Sequence, residues 1–208
     1  REPDGFRVLV NDGVVRAAHV VLACQAYASA ALIRSIDPNL AALLDSIPYN
    51  SSVTVALGYR KAGFRHKLNG FGFLVPKRER RRVIACTWIA TKFSHRVPED
   101  KVVLRCFLGG GDEGALSESD DDLVRIVRDE LRDIMGVAEE PLFAQIARWP
   151  RSMAQYTVGH PSRVAEIEAR LRHIPGLHLA GNAYYGIGIP DCIRSGKLAA
   201  EKIRELTH

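Results

Sequence analysis

The sequence predicts an α+β fold, in which an antiparallel sheet has helices on its flanks. Four β-rich segments follow one another between residues 51 and 108 with only turns between them, which favours antiparallel pairing. Two more apolar strands lie near opposite ends of the chain, at residues 20–24 and 177–180. This layout is expected when sequence-distant pieces build one ligand-binding layer and a second sheet is inserted between them.

The N-terminal elements begin with a hairpin. A strand at 6–10, a turn at 11–13 and a strand at 14–24 are expected, because Asp and Gly in the turn tolerate positive φ. The continuous apolar run at 20–24 predicts a strand that is buried on both faces. Two short helices are predicted next, at 26–35 and 39–46.

The middle of the chain carries the predicted antiparallel sheet. Its strands are expected at 51–59, 70–76, 83–89 and 102–108, and the glycines at 109–111 then break the pattern. The clearest helix follows at 121–135. Its apolar residues recur on one face, Ser119 or Asp120 caps its start, and Gly136 ends it.

The last third of the chain alternates strands and helices again. We expect a strand at 142–149, irregular chain at 151–160, a helix capped by Ser162, and a short strand at 177–180. A final helix, capped by Asp191, runs through Ile193, Ala200 and Ile203.

Composition sets the broad class. The chain has 208 residues, of which 47% are hydrophobic and 25% charged, so it is globular and can bury a core. The net charge is +5, and basic residues cluster at 77–82. A solvated loop is the preferred interpretation of that cluster, and an anionic membrane surface is the alternative. No nucleic-acid partner is expected, because no aromatic platform or binding motif accompanies the charges.

The four cysteines predict neither a metal site nor disulfides. Cys24, Cys86, Cys106 and Cys192 form no C-x-x-C pair, and three of them lie in apolar runs, which favours buried, reduced thiols and a cytoplasmic location. No apolar run reaches the roughly 18 residues of a transmembrane helix. The chain begins at Arg1 directly in a strand pattern, so a piece of a longer protein is expected.

The glycine-rich crossing before the last helix is the strongest candidate for a ligand site. Gly181, Gly186 and Gly188 would bring the backbone close to a ligand, and the start of a helix suits a polar or anionic group. An ordinary glycine-rich turn remains the alternative. The Gly-x-Gly here is weak as a dinucleotide signature. No nucleophile–base motif is present, the His residues are scattered, and no catalytic side chain is predicted.

Motifs in one order along nearly the whole chain carry a family resemblance. They lie at 19–23, 51–59, 70–76, 86–88 with 92–93, 107–110, 148–149 with 155–156, 159–160, and 181–196. The last contains Gly-Ile-Pro-Asp-Cys-Ile followed by Ser-Gly. On these motifs the chain resembles the C-terminal part of the oxygen-dependent protoporphyrinogen oxidase family, in the flavin monoamine oxidase-like superfamily.

The resemblance implies FAD as cofactor and oxidation of protoporphyrinogen IX to protoporphyrin IX, with oxygen reduced to hydrogen peroxide. It implies that Trp149 and the stretch Gly186, Ile187, Gly188 and Ile189 lie beside the flavin. It also implies that Leu74, Thr87 and Phe107 line the substrate pocket, since a flat apolar macrocycle suits such walls. Without the resemblance, Leu74 and Phe107 would be interpreted as sheet core.

The resemblance also predicts the domain organisation. Residues 1–24 and 148–208 would belong to a FAD-binding Rossmann-like domain, and residues 25–147 to a substrate-binding domain. The family's N-terminal Gly-x-Gly-x-x-Gly unit, which binds the FAD pyrophosphate, is not in the sequence. The chain alone is therefore expected to bind FAD weakly or not at all and to be inactive.

Expected partners are the porphyrinogen, oxygen and the N-terminal FAD-binding half, while a homodimer and peripheral contact with the cytoplasmic membrane stay open. Two rival functions also stay open. One is a module that binds a tetrapyrrole or a partner without redox chemistry. The other is a different flavin amine oxidase-like enzyme, such as a carotenoid desaturase.

Overall fold

A computed structural model describes residues 1–11, 13–62, 64–109 and 113–206. Two compact units are present, one made of residues 1–49 and 153–208 and the other of residues 50–152. The elements in chain order are β1 (Phe6–Val10), β2 (Gly13–Ala17), β3 (Val20–Leu22), α1 (Ala26–Ile33), α2 (Pro38–Asp45), β4 (Tyr49–Arg60), β5 (Gly72–Leu74), β6 (Val83–Trp88), α3 (Ile89–Lys92), β7 (Lys101–Gly109), α4 (Asp120–Met135), β8 (Phe143–Ala154), α5 (His160–Leu171), β9 (Leu177–Leu179) and α6 (Ile189–Leu206).

The first unit is built on two small sheets and four helices. β1 and β2 form the predicted antiparallel hairpin, with Val10 opposite Gly13, while Asp12 of the turn lies outside the described residues. β3 pairs in parallel with β9, so that Val20 lies opposite Leu177. Apolar residues of α1, α2 and α5 form the core of this unit with Leu177 of β9.

The prediction of one strand at 14–24 is wrong, because this segment forms the two strands β2 and β3. β2 pairs with β1 as far as Ala17, and β3 pairs with β9 from Val20 onward, so the two halves of the segment have different partner strands. The run at 20–24 is also not buried on both faces: Val21 and Cys24 are exposed, since β3 pairs with β9 alone in a two-stranded sheet.

The second unit contains a five-stranded sheet in the order β5-β6-β7-β4-β8, and the three pairings β5–β6, β6–β7 and β7–β4 are antiparallel, as predicted. One face of the sheet is buried against α4. Leu123, Val127 and Leu131 of the helix pack there, and all three are fully buried. The alternation along β7 is regular, with every even residue from Val102 to Leu108 buried and the odd ones only partly so.

The start and the end of α4 have local causes, whereas β5 depends on its neighbouring strand. The Ser119 hydroxyl accepts a hydrogen bond from the Asp122 N–H at 3.1 Å and caps α4, and Gly136 ends the helix in the left-handed conformation at φ 70°. At Gly72, where φ is 143°, a β-carbon would overlap the carbonyl oxygen of Cys86 on β6. The path of β5 next to β6 therefore leaves no room for a side chain at position 72.

Several boundaries differ from the predictions, among them those of β5, which covers Gly72–Leu74 and not 70–76. β8 continues to Ala154 through residues that were expected to be irregular. α5 begins at His160 and not after Ser162, because Gly159 takes the left-handed conformation and Pro161 sits in the first turn, where proline fits. α6 begins at Ile189, so Asp191 lies in its first turn and is not its cap.

The compact units divide the chain at residues 49 and 152. The assignment of 1–24 and 148–208 to a cofactor domain, and of 25–147 to a substrate domain, stays a prediction. Gly110 and Gly111 of the predicted break lie outside the described residues.

Candidate functional site

The glycine-rich loop of the first unit connects β9 to α6. Gly186 takes φ 139°, a conformation that side chains disfavour, and a β-carbon there would lie 2.5 Å from the carboxylate of Asp191. At Gly188 a β-carbon would lie 3.0 Å from the same carboxylate. Gly186 is therefore required by its backbone conformation and by the close approach of Asp191, whereas Gly188 is only in tight contact with the end of that side chain.

The carboxylate of Asp191 is the anion that faces this loop. It lies in the first turn of α6, where negative charge is favourable beside the positive end of the helix, and it accepts a 2.8 Å hydrogen bond from Arg194. A carboxylate of the chain thus already lies at the helix start, with a cationic partner beside it. The outer edge of the loop is apolar.

Ile187 and Ile189 form that outer edge, because their side chains are 57% and 78% exposed. Exposed apolar side chains are informative where they are grouped, and these two lie on either side of one glycine. Apolar side chains and accessible glycine backbone suit the edge of a flat aromatic cofactor such as a flavin. The residues predicted beside the flavin therefore have the right chemistry for it.

Tyr156 holds the glycine-rich loop through two hydrogen bonds of its hydroxyl. Its hydroxyl donates to the carbonyl oxygen of Asn182 at 2.8 Å and accepts from the N–H of Gly186 at 2.7 Å. Its ring is stacked on His160, with 3.9 Å between centroids and 11° between planes. Partial burial raises the pKa of the Tyr156 hydroxyl, although the Gly186 N–H opposes that shift.

Sequence reasoning did not assign a role to Tyr156. Its segment is irregular between β8 and α5, and no periodicity marks it. Its appearance in one of the family motifs was the available signal. Its partner His160 is buried and makes a 3.1 Å hydrogen bond through Nε2 with the carbonyl oxygen of Tyr184, on the same loop.

In the second unit, α4 covers one face of the sheet. We call the other face, which is turned away from α4, the open face. Strand register places Leu74, Ala85, Phe107 and Thr54 in one row across β5, β6, β7 and β4. Directly opposed residues project from the same side of a sheet, so these four side chains share the open face. The next row contains Gly72, Thr87, Arg105 and Ala56.

The three residues predicted to line the substrate pocket thus lie on the same face. Leu74 and Phe107 are in one row, and Thr87 is two residues from Ala85 on β6. Leu74 is 82% exposed, which excludes the interpretation that it is sheet core. Phe107 is partly buried, in contrast to its fully buried neighbours Cys106 and Leu108.

Trp149 on β8 lies beside this row. Its indole N–H donates to the Thr54 hydroxyl at 3.3 Å, and half of the side chain is exposed. Trp149 was predicted to contact the cofactor together with residues 186–189, but it belongs to the second unit and the glycine-rich loop to the first. Its role as a flavin contact stays a prediction.

Arg105 is a residue of the open face that sequence reasoning missed. Its guanidinium carbon lies 5.3 Å from the centroid of the Phe107 ring, in a cation–π arrangement. The available signal was the predicted strand at 102–108, because residues two positions apart in a strand, such as 105 and 107, lie on one side.

A separate cavity of about 950 Å³ lies in the first unit between α5, β9 and α6. None of the predicted site residues lines it. His178 of β9 lies at its wall and is within 3.3 Å of His19, nitrogen to nitrogen. Burial lowers the pKa of His178, and the neighbouring His19 and Lys202 lower it further.

The basic cluster at 77–82 is largely paired. Arg78, Arg81 and Arg82 form ion pairs with Glu79, Asp133 and Glu118, respectively. These pairs favour the interpretation of the cluster as a structured, solvated segment. Across the described ranges, no helix is both long and apolar enough to span a bilayer, and no group of side chains there could hold a metal ion.

Two of the four cysteines are buried, as expected. Cys86 and Cys106 lie opposite each other on β6 and β7 as free thiols. Cys24 is exposed and Cys192 is intermediate, so the expectation of three buried thiols is wrong. The apolar run before Cys24 belongs to β3, which the two-stranded sheet leaves open to solvent.

Curated proteins similar to this chain are oxidases of porphyrinogens by name. Coproporphyrinogen III oxidase of Bacillus subtilis is 35% identical over 196 residues, which cover 93% of this chain and 42% of that protein. Chloroplastic protoporphyrinogen oxidase of rice (Oryza sativa subsp. japonica) is 25% identical over 202 residues, 92% of this chain and 38% of that protein. The chain thus spans about two fifths of the length of these relatives.

Among solved structures, a provisionally named protoporphyrinogen oxidase of Exiguobacterium sp. 255-15 matches all of this chain and 45% of its own, with a TM-score of 0.84 and 33% identity. The mixed fold with its antiparallel sheet agrees with the predicted fold class. The model of a family described as flavin containing amine oxidoreductase matches residues 1–204, in agreement with the flavin predicted as cofactor. The chain belongs to the flavin-containing amine oxidoreductase family.

Proposed function

We propose that this chain is the C-terminal part of a FAD-dependent oxidase that converts a porphyrinogen to the porphyrin with oxygen. The observation that supports this most is the open face, where Leu74, Thr87, Phe107 and Trp149 lie together on one side of the sheet. A macrocycle of pyrroles needs an extended, largely apolar wall, and the row from Leu74 to Thr54 spans roughly 14 Å across four strands.

The chain's own part in the reaction is to bind and orient. Leu74 and Phe107 would contact the macrocycle, and the Thr87 hydroxyl would lie at its edge. Ile187, Gly188 and Ile189 would contact the flavin, and Tyr156 would hold Gly186 in place for that contact. The chemistry that FAD supplies when bound is acceptance of hydride from the porphyrinogen and reduction of oxygen to hydrogen peroxide.

Two porphyrinogens are candidate substrates. The family resemblance favours protoporphyrinogen IX, whereas the relative with the higher identity is named for coproporphyrinogen III. The product of the complete reading frame should be purified with FAD and supplied with each porphyrinogen, and porphyrin fluorescence should be followed. Faster turnover of one of them identifies the substrate, and no porphyrin from either would refute the oxidase function.

The 208-residue chain itself is proposed to be inactive. The glycine-rich unit that binds the FAD pyrophosphate in the family is not in this sequence. The chain should therefore purify without yellow colour and produce no porphyrin. Stoichiometric flavin in the purified chain would contradict this. If the protein encoded by the complete reading frame bound porphyrin but no flavin, this would support the non-redox binding module instead.

We also propose that the protein is cytoplasmic. Cys86 and Cys106 lie opposite each other on neighbouring strands and are free thiols, which supports a reducing compartment. The basic cluster at 77–82 is the candidate for contact with the membrane, and three of its arginines are paired with carboxylates. Cell fractionation with detection of the native protein tests both statements.

A further inference from the structure

The open face of the second unit has a cationic side chain, Arg105, near its middle. Arg105 lies in the middle of β7, with Thr87 opposite on β6 and Ala56 opposite on β4. Both neighbours are small, and neither can neutralise a charge. Lys101 also projects from this side of β7, but it lies at the end of the strand and is paired with Asp100.

The guanidinium of Arg105 has no anionic partner in the described part of the chain. No described carboxylate forms an ion pair with it, and its Nε–H is buried without a hydrogen-bond acceptor. A buried donor without an acceptor is costly, and guanidinium offers five donors in a fork that matches a carboxylate. A ligand that supplies a carboxylate would satisfy this group.

Phe107 holds the guanidinium in position. The guanidinium carbon lies 5.3 Å from the ring centroid, so the cation is held against the aromatic face. The two residues are two positions apart on β7, which separates their α-carbons by roughly 7 Å. An acidic group on the rim of a macrocycle that contacts Phe107 would therefore reach Arg105.

The other described residues in the two rows of the open face are apolar or neutral. They are Leu74, Gly72, Ala85, Thr87, Phe107, Thr54 and Ala56. Neither row therefore supplies an anion to Arg105. Both candidate porphyrinogens carry carboxylate side chains on the rim of the ring, and coproporphyrinogen III carries more of them than protoporphyrinogen IX.

We propose that Arg105 binds a carboxylate of the porphyrinogen whose macrocycle lies against Phe107. This inference rests on the proposed function, which supplies the substrate. It adds a binding residue for the acidic rim of that substrate to the apolar wall. The arginine would form the paired, charge-assisted hydrogen bonds that it makes with carboxylates elsewhere.

The test compares Arg105→Leu and Arg105→Lys with Arg60→Leu in the product of the complete reading frame. Arg60 is an exposed arginine on the same side of the sheet, four residues beyond Ala56 at the end of β4. Arg105→Leu should raise KM for at least one porphyrinogen by roughly ten- to hundredfold, with kcat nearly unchanged. Arg105→Lys should restore part of the affinity, and Arg60→Leu should behave as wild type.

A second measurement separates this inference from the proposed function. Binding of coproporphyrin III is followed by fluorescence at low and high salt, and wild-type affinity should fall with salt more steeply than that of Arg105→Leu. Binding that depends on Arg105 in a protein without oxidase activity would support the inference and refute the function. Turnover with an unchanged KM in a folded Arg105→Leu variant would overturn the inference and leave the function intact.

Discussion

Single side chains hold the glycine-rich loop in its shape. The Tyr156 hydroxyl is both donor and acceptor there, since it bridges the Asn182 carbonyl and the Gly186 N–H. Such a bridge joins two points of the loop through one oxygen, which a backbone contact could not do. The positive φ of Gly186 is then tied to a side chain of another segment.

Replacing Tyr156 by Phe removes both hydrogen bonds and keeps the ring on His160. We expect a loss of about 1–2 kcal/mol in the free energy of local opening, because two partners lose one bond each. Hydrogen exchange at the Gly186 amide should accelerate accordingly. Val158→Ala, at a fully exposed side chain in the same segment, is the control. Unchanged exchange at Gly186 would show that the bridge does not hold the loop.

His178 should make stability depend on pH. Its pKa in the folded chain is lowered, first by burial and then by His19 and Lys202. The unfolded chain therefore binds this proton first, near pH 6.5, and stability falls as the pH drops below that value towards the folded pKa. Above about pH 7.5 the group is neutral in both states and contributes no slope.

The free energy of unfolding should be measured by urea titration between about pH 8 and about pH 5 for His178→Gln and for His173→Gln. His173 is exposed, so its replacement should keep the wild-type slope. His178→Gln should flatten it. A slope that survives in His178→Gln would assign the pH dependence to other groups.

Elements differ in how far local chemistry explains them. α4 is explained locally: Ser119 caps it, its apolar residues follow the helical period, and Gly136 ends it. The short strand β5 instead depends on its neighbour, because its path next to β6 leaves no room for a side chain at position 72. The exposed position of Leu74 follows from that pairing.

Gly72→Ala tests this dependence. The left-handed backbone and the overlap with the Cys86 carbonyl should together cost about 2 kcal/mol or more, measured by urea unfolding. Gly196→Ala is the matched control, and its expected effect on stability has the opposite sign. Gly196 lies in α6, and no atom is within 4 Å of a new β-carbon there. It should raise stability by about 0.5–1 kcal/mol. Equal effects at the two positions would contradict the packing described for β5.

At the scale of the whole molecule, each compact unit has its own core. The core of the second unit contains both buried thiols, Cys86 and Cys106, whereas Cys24 lies on the surface of the first unit. The pKa of the Cys106 thiol is raised well above its usual range, first by the hydrogen bond with Cys86 and then by burial. Both effects suppress the reactive thiolate.

Thiol labelling reports this difference directly. In the native chain iodoacetamide should modify Cys24 first, and Cys86 and Cys106 should react only after unfolding in urea. Peptide mass spectrometry locates the label, and Cys24→Ser should remove the fast phase. Rapid labelling of Cys106 under native conditions would mean that the core of the second unit opens.

The sequence by itself determined most of the elements, the antiparallel pairing of the middle strands, and the family. These follow from neighbours along the chain, such as the spacing of apolar residues and the caps of α4. It did not determine where the long strand at 14–24 changes partner, the bridge through Tyr156, or the unpartnered Arg105. Those depend on contacts between distant residues, such as His19 and His178, which are 159 positions apart. Periodicity shows which side chains share a face, but only the tertiary structure shows what lies opposite them.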